Sequence, residues 1–167
     1  PIMTGSTKLT DRSNGSAYCN NSSWRGLSYK AEGWLAYELE NATSPTTFDL
    51  RGCSGDVTLA SSTLFQKNID IRTDVTIVAK GFKLDHLHIR SANGAANQFN
   101  IVTPDYTVVD PSRPHCTDRP TEIKRVWLRE PIIGLAYTPC KMDITGTLLG
   151  SVAWRGQVIM GSGSVMN

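Results

Sequence analysis

The 167-residue sequence contains no apolar run that approaches the roughly 20 residues needed to cross a bilayer. Its opening stretch, PIMTGSTKLT, also lacks the apolar core of a signal peptide, so we expect any leader or membrane anchor upstream of this sequence. Only 19% of the residues are charged, and the net charge of +2 is spread along the chain. This balance gives no electrostatic reason to expect nucleic acid or an anionic membrane surface as a partner.

The sequence also lacks the motifs of common catalytic centres. It has neither the G-x-S-x-G elbow nor the S-x-x-K pattern of serine nucleophiles. The GSGS stretch near its end is not a phosphate loop, because no lysine or helix start follows it. We therefore predict that the chain is not an enzyme and that it has no catalytic residues, cofactor or metal site.

Two patterns leave chemical alternatives open. On an alternating strand, one face would carry His86, His88 and Arg90, and the other Asp85, Leu87 and Ile89. The two histidines would bind a metal only with a third ligand, such as His115 or a carboxylate. Five aspartates lie on or near successive short segments, as a polysaccharide-active enzyme would require: Asp49, Asp56, Asp70, Asp74 and Asp85. We prefer the simpler interpretations, an exposed strand face and aspartates that cap turns.

The four cysteines, Cys19, Cys53, Cys116 and Cys140, are far apart and form no CxxC or CxH pattern. An even count in Ser/Asn/Gly-rich surroundings favours two disulfides and an oxidising, extracellular compartment. Three pairings are open. We prefer Cys19–Cys53 and Cys116–Cys140, because each bond then closes one local excursion of the chain.

Short segments with period-2 alternation dominate the chain from residue 46 onward. They are rich in Val, Ile, Thr and Phe and predict strands: TTFDL, DVTLA, NIDIR, VTIVA, FKLDHLHIR and FNIV. No amphipathic stretch long enough for a crossover helix separates them, so an all-β fold is predicted. Residues 1–23 read as loop. Residues 35–39 fit either a strand or a helix over 27–39, and Gly33 favours the strand.

Near-identical apolar pairs recur along these segments and are expected to face inward: Phe48/Leu50, Val57/Leu59, Ile69/Ile71, Val75/Ile77 and Leu87/Ile89. Stacking such pairs lets a repeated unit build a continuous core that one unit cannot bury alone. The sequence therefore predicts a short right-handed parallel β-helix, with a β-sandwich as the alternative. We expect one domain, with an irregular N-terminal cap over 1–45 and the β-solenoid over 46–167. Five prolines mark 104–131 as an insertion without central strands, tied down by Cys116–Cys140.

Residues 46–167 resemble the C-terminal domain of PilX-related pilus-assembly proteins of Gram-positive bacteria, especially actinobacteria. The runs QFNIVTPDYTVVDPSRPHC, IIGLAYTPCKMDI and WRGQVIMGSGSV are similar to that family's segments. The matching residues are Ile101, Val102, Pro104, Cys116, Tyr137, Thr138, Pro139, Cys140, Gly156, Gln157, Val158 and Gly161. This resemblance implies a non-catalytic structural or adhesive module at the cell surface, in a type IV-like pilus or pseudopilus. Its partners would be other pilus or surface proteins, and glycans are a further candidate.

Tryptophans are the best candidates for partner contact, because exposed tryptophans stack on sugars and anchor protein interfaces. Trp127 and Trp154, with Arg155 beside the latter, are the predicted binding residues. Two alternative functions remain: a polysaccharide-active or carbohydrate-binding β-helix, and the ectodomain of a eukaryotic or viral secreted glycoprotein. The second rests on four N-x-S/T sequons, which begin at Asn14, Asn20, Asn21 and Asn41.

Overall fold

The described part of the chain folds into parallel β-sheets and one short helix. The computed structural model describes residues 6–9, 20–23, 34–53, 55–61, 67–104, 116, 119–145, 154–161 and 165–166. Within them, the elements in chain order are β1 (Ser6–Leu9), β2 (Asn20–Ser23), α1 (Trp34–Asn41), β3 (Thr46–Asp49), β4 (Val57–Ser61), β5 (Lys67–Ile71), β6 (Val75–Val78), β7 (Phe82–Ser91), β8 (Gln98–Val102), β9 (Thr121–Leu128), β10 (Ile133–Tyr137), β11 (Met142–Thr145), β12 (Gly156–Ile159) and β13 (Val165–Met166). The predicted all-β class is confirmed.

These described strands form two sheets, and every pairing between them is parallel. The first sheet has the order β1-β3-β6-β8-β10-β12, and the second has the order β13-β11-β9-β7-β4-β2, with β5 also paired to β7. Apart from the consecutive strands β4 and β5, which both belong to the second sheet, the described strands alternate between the sheets, and each pass lays its strand beside the strand of the previous pass. Parallel strands usually need a long crossover. Here, a strand of the other sheet forms part of each crossover.

The register stacks apolar side chains into rows. In the first sheet, one row consists of Phe48, Ile77, Ile101, Ala136 and Val158. In the second sheet, one row consists of Leu59, Leu84, Ile123 and Ile144. All of these side chains are buried except Val158, which is half-buried. All five predicted inward pairs are buried as well, as their alternation indicated.

Two strands of the second sheet bend at residues with positive φ, His86 (φ 54°) and Arg125 (φ 52°). The part of β7 before the bend pairs with β4, and the part after the bend pairs with β5, so the sheet has two segments that meet at the bend. Between the buried residues Leu84 and Leu87, the chain has two consecutive residues that are only half-buried, Asp85 and His86. The expectation that Asp85 shares a face with Leu87 is therefore wrong, because the left-handed residue interrupts the alternation.

Residues 34–41 form a helix, which corrects the strand predicted over 35–39. Leu35, Ala36 and Leu39 are fully buried on one side of α1, as helical spacing places them. The helix packs against β5, and the Glu40 carboxylate accepts a hydrogen bond from the Asp70 backbone N–H at 3.2 Å. Residues 6–9 and 20–23, predicted as loop, are strands paired to β3 and β4. Within the described part of the chain, no helix has the length and apolarity to span a membrane.

The segment 104–131 contains a central strand, contrary to its prediction as an insertion outside the sheets. β9 pairs with β7 on one side and with β11 on the other. Its eight residues contain no proline, and Pro120 and Pro131 flank it, where no ladder hydrogen bond is lost. The prediction that 104–131 contains no central strand was wrong because its prolines lie outside β9. The boundary between 1–45 and 46–167 stays a prediction.

One predicted disulfide is confirmed. Cys116 is bonded to Cys140, with their Cα atoms 4.6 Å apart. Cys53 is also disulfide-bonded. Cys19 lies outside the described residues, so the pairing Cys19–Cys53 stays a prediction.

Candidate binding face

The outer surface of β5, β7 and β9 beyond the bend carries polar and aromatic side chains in register. Asn68, His88 and Trp127 are opposite one another on β5, β7 and β9. Two residues further along β5 and β7, Asp70 is opposite Arg90. Arg129 follows directly after β9. We refer to this surface as the Trp127 face, defined by Asn68, Asp70, His88, Arg90, Trp127 and Arg129. Inward residues of the same strands, such as Ile69 and Ile89, are fully buried and fix its position.

Trp127 is held by a contact with the neighbouring strand. The ring centroids of His88 and Trp127 are 5.0 Å apart, and the planes are nearly perpendicular at 87°. An edge-to-face contact of this kind restricts the orientation of the indole. Trp127 is half-buried, so part of its ring system stays accessible to solvent. Of the predicted binding residues, Trp127 is thus the one that the structure places on an outer strand surface.

The arginines of the Trp127 face differ in their partners. Arg90 forms a two-point ion pair with Asp70, with Nε–Oδ1 at 2.7 Å and Nη2–Oδ2 at 2.8 Å, which raises the pKa of Arg90. Arg129 is exposed, and its Nη2 lies 3.4 Å from His88 Nε2. Among the described residues, Arg129 forms no ion pair with a carboxylate. The Glu40 carboxylate also lies close enough to Arg90 to help raise its pKa, so Arg129 is the cation of this face that no described carboxylate contacts directly.

The pKa of His88 reflects its burial and the charges beside it. Partial burial, followed by the neighbouring charges of Arg129 and Arg90, lowers the pKa of His88 from 6.5 to about 4. The imidazole is therefore neutral at pH 7, and its Nε2 can accept the hydrogen bond that Arg129 Nη2 donates.

A second charged group occupies the bend. Arg125 and Asp85 form a bidentate ion pair across β7 and β9, with Nε–Oδ1 at 2.7 Å. His86 Nδ1 lies 3.7 Å from the same Asp85 oxygen. Burial lowers the pKa of His86. The charge of Asp85 raises this pKa and the charge of Arg125 lowers it, and both effects are smaller than that of burial. His86 and His88 thus have different neighbours, and the described residues contain no His/Cys/Asp/Glu group able to hold a metal. His115 lies outside the described residues.

Trp154 and Arg155 lie in other surroundings. Trp154 packs against the core, with its ring 6.2 Å from that of Phe99. Gly134 leaves room for it, because a Cβ at that position would lie 2.8 Å from Trp154 Cζ2. The Arg155 side chain is 50% exposed and contacts Glu130, with Nη1–Oε2 at 3.3 Å. A binding role for this pair stays a prediction.

The five candidate carboxylates have separate hydrogen-bond or ion-pair environments. Asp49, Asp70 and Asp85 are ion-paired to Arg51, Arg90 and Arg125. Asp74 accepts a hydrogen bond from the Gln98 backbone N–H at 2.8 Å, a backbone contact of the kind expected for an aspartate that caps a turn. One Asp56 oxygen is buried without a hydrogen-bond partner and would lie 2.8 Å from a Cβ at Gly81.

Sequence reasoning missed the roles of Asn68 and of the Asp70–Arg90 pair. The signal was present, since NID (68–70) and HIR (88–90) share the same polar–apolar–polar alternation. Aligning these segments as parallel neighbours places Asn68 opposite His88 and Asp70 opposite Arg90, as the structure does.

Comparison with known proteins adds no relative: no family model, no curated protein and no solved structure matches this chain. The resemblance to PilX-related proteins stays a prediction.

Proposed function

We propose that this chain is a non-catalytic extracellular module that acts by contact, built as a short right-handed parallel β-helix. One coil would be one pass through both sheets. The in-register parallel pairing and the stacked apolar rows support this architecture. Right-handedness is the expected choice, because parallel crossover connections are right-handed in about 98% of cases.

The observation that carries the proposed function is the Trp127 face. Three neighbouring strands present a row of outward side chains, supported from beneath by buried aliphatic side chains. Sites built on strands hold their groups more rigidly than sites on loops. A partly exposed tryptophan beside an unbalanced arginine is a composition typical of binding surfaces.

The disulfides support an extracellular location. Cys116–Cys140 joins the chain just before β9 to the chain just after β10, and Cys53 is also bonded. Stable disulfides are rare in reducing compartments. With the resemblance of residues 46–167 to PilX-related proteins, this leads us to propose a component of a type IV-like pilus or pseudopilus. Its partners would be other pilus or surface proteins.

Two experiments test this proposal. Immunogold labelling of intact cells of the source organism should mark surface filaments, and permeabilisation should not be required. Labelling that appears only after permeabilisation would contradict the surface location.

The second experiment incubates the purified chain with a panel of plant and bacterial polysaccharides and measures new reducing ends. We expect no release above the buffer control. Release that is abolished by Asp56→Asn or Asp70→Asn, and retained in a variant of an exposed control residue such as Lys83→Gln, would favour an enzyme instead.

A further inference from the structure

We infer that the Trp127 face binds a carboxylated polysaccharide, a chain that contains uronic acid sugars. This inference rests on the proposed function, because it specifies the partner of a module that acts by contact. Three features of the face support it: its charge, its stacking platform, and the direction in which its polar groups are arranged.

The charge of the face selects an anion. Asp70 neutralises Arg90 through two hydrogen bonds, and Arg129 has no ion-paired carboxylate among the described residues. A guanidinium presents paired N–H donors whose geometry fits a carboxylate. Burial is the main cause of the low pKa of His88, and the charges of Arg129 and Arg90 lower it further. A ligand carboxylate beside Arg129 would balance its positive charge.

The platform for a sugar ring is Trp127. Sugar rings present C–H groups on one face, and an aromatic ring packs against such a surface. The perpendicular contact with His88 orients the indole before a ligand arrives, so little conformational entropy is lost on binding.

The polar groups extend in one direction away from the tryptophan. Trp127, His88 and Asn68 are on three successive strands, which are about 4.8 Å apart in a parallel sheet. The neutral imidazole and the amide each offer hydrogen-bond donors or acceptors for hydroxyl groups. An extended chain of sugars can therefore run across the strands from Arg129 towards Asn68.

Nucleic acid fits the same surface less well. Binding of single-stranded nucleic acid uses several stacking bases and a groove of cations that follows the phosphates. The Trp127 face has one tryptophan and one unbalanced arginine, and the whole chain has a net charge of only +2. Single-stranded DNA is therefore a comparison ligand in the test.

The test measures binding of polygalacturonate oligomers by calorimetry, with the fully methyl-esterified oligomers as a matched ligand that keeps the backbone and removes the charge. We expect esterification and Arg129→Gln each to weaken binding by about tenfold or more, the effect of one lost charge-assisted hydrogen bond. Trp127→Ala should weaken binding by about tenfold or more, and Trp127→Phe should retain part of it. Arg51→Gln, which removes an exposed arginine that is ion-paired to Asp49 on β3 in the first sheet, should change nothing. Thermal unfolding of each variant checks that it is folded.

A second measurement reports on the site itself. Titration of the His88 imidazole by NMR should give a higher pKa with the charged oligomer bound than with the methyl-esterified oligomer bound, because both ligands cover the ring and only the carboxylate offsets the field of Arg129. Equal binding of charged and esterified oligomers, or no binding of either, would overturn the inference, and so would tighter Trp127-dependent binding of single-stranded DNA. If surface labelling of intact cells is nevertheless obtained, the proposed surface module stands and only its ligand is wrong.

Discussion

Replacing Gly156 by alanine is the sharpest test of the way in which β12 lies on β10. Gly156 has φ +133° and is opposite Gly134 in the parallel register. A Cβ at this position would lie 2.0 Å from the Gly134 carbonyl oxygen. No side-chain rotamer relieves this contact, because the Cβ position is fixed by the backbone.

The cost of the substitution has two contributions. A non-glycine residue in a glycine-only region of φ/ψ space costs about 1–3 kcal/mol. In addition, β12 must move by about 1 Å or more to restore a normal contact distance between carbon and oxygen. This displacement would stretch the hydrogen bonds from Gly134 N–H to Arg155 O (2.7 Å) and from Thr138 N–H to Ile159 O (3.0 Å). We expect Gly156→Ala to destabilise the protein by about 3 kcal/mol, or to detach β12 at a lower cost.

Hydrogen exchange and urea unfolding separate these two outcomes. Loss of protection at the Gly134 and Thr138 amides without a change in the unfolding midpoint indicates local detachment, and a shifted midpoint indicates global destabilisation. The control is Gly55→Ala, because a Cβ there has no heavy atom within 4 Å, and we expect a change within about 0.5 kcal/mol. If both variants keep wild-type exchange and the same midpoint, the close approach of β12 to β10 is refuted.

Three further predictions address the core, the disulfide and the pH dependence of stability. Ile71 is fully buried, so Ile71→Asp should lower the free energy of unfolding by several kcal/mol, whereas Arg72→Asp at the exposed neighbour should change it little; equal effects in urea melts would show that the register is wrong. Cys116 and Cys140 are 24 residues apart, so replacing both by serine should cost about 3 kcal/mol, and non-reducing peptide mapping should recover this pair; a different partner for Cys116 would contradict the fold. The pKa of His88 is about 4 in the folded protein and near 6.5 in the unfolded chain, so the unfolded chain takes up the proton first as the pH falls. The free energy of unfolding should therefore fall by about 1 kcal/mol, after discounting for solvent screening, as the pH drops from 6.5 towards 4. His88→Gln should remove this part of the pH dependence, and identical slopes for both proteins would refute the assignment to His88.

The sequence predicts the strands of this protein well where the pattern is local. Alternation identified the inward residues of β3 to β7, and pairs such as Val75 and Ile77 are buried as expected. It failed for α1, where Leu35 and Leu39 satisfy both a period of two and a helical period. Packing against β5 decided between them, and that contact involves residues about 30 positions away. It failed again at His86, because a left-handed residue inside a strand leaves no local composition signal.

The candidate site illustrates the same division. Both Trp127 and Trp154 are next to or near arginines in the sequence, and on that basis they were equally good binding candidates. Their environments differ because of residues elsewhere in the chain. Gly134 opens a space in the core that the Trp154 indole occupies, while His88 on the neighbouring strand holds the Trp127 indole at the outer surface.

This difference has a consequence for variants. Filling the space at Gly134 should displace Trp154 and cost stability, since a Cβ there would also lie 2.6 Å from Leu128 Cδ1. Changing His88 should leave the core intact and loosen only the orientation of Trp127. Substitution of the neighbouring residue, Gly134 for Trp154 or His88 for Trp127, therefore separates a role in packing from a role in binding without substitution of either tryptophan. For Trp127, weaker polygalacturonate binding in a stable His88→Gln protein is the expected result, and unchanged binding would show that the indole needs no support from His88.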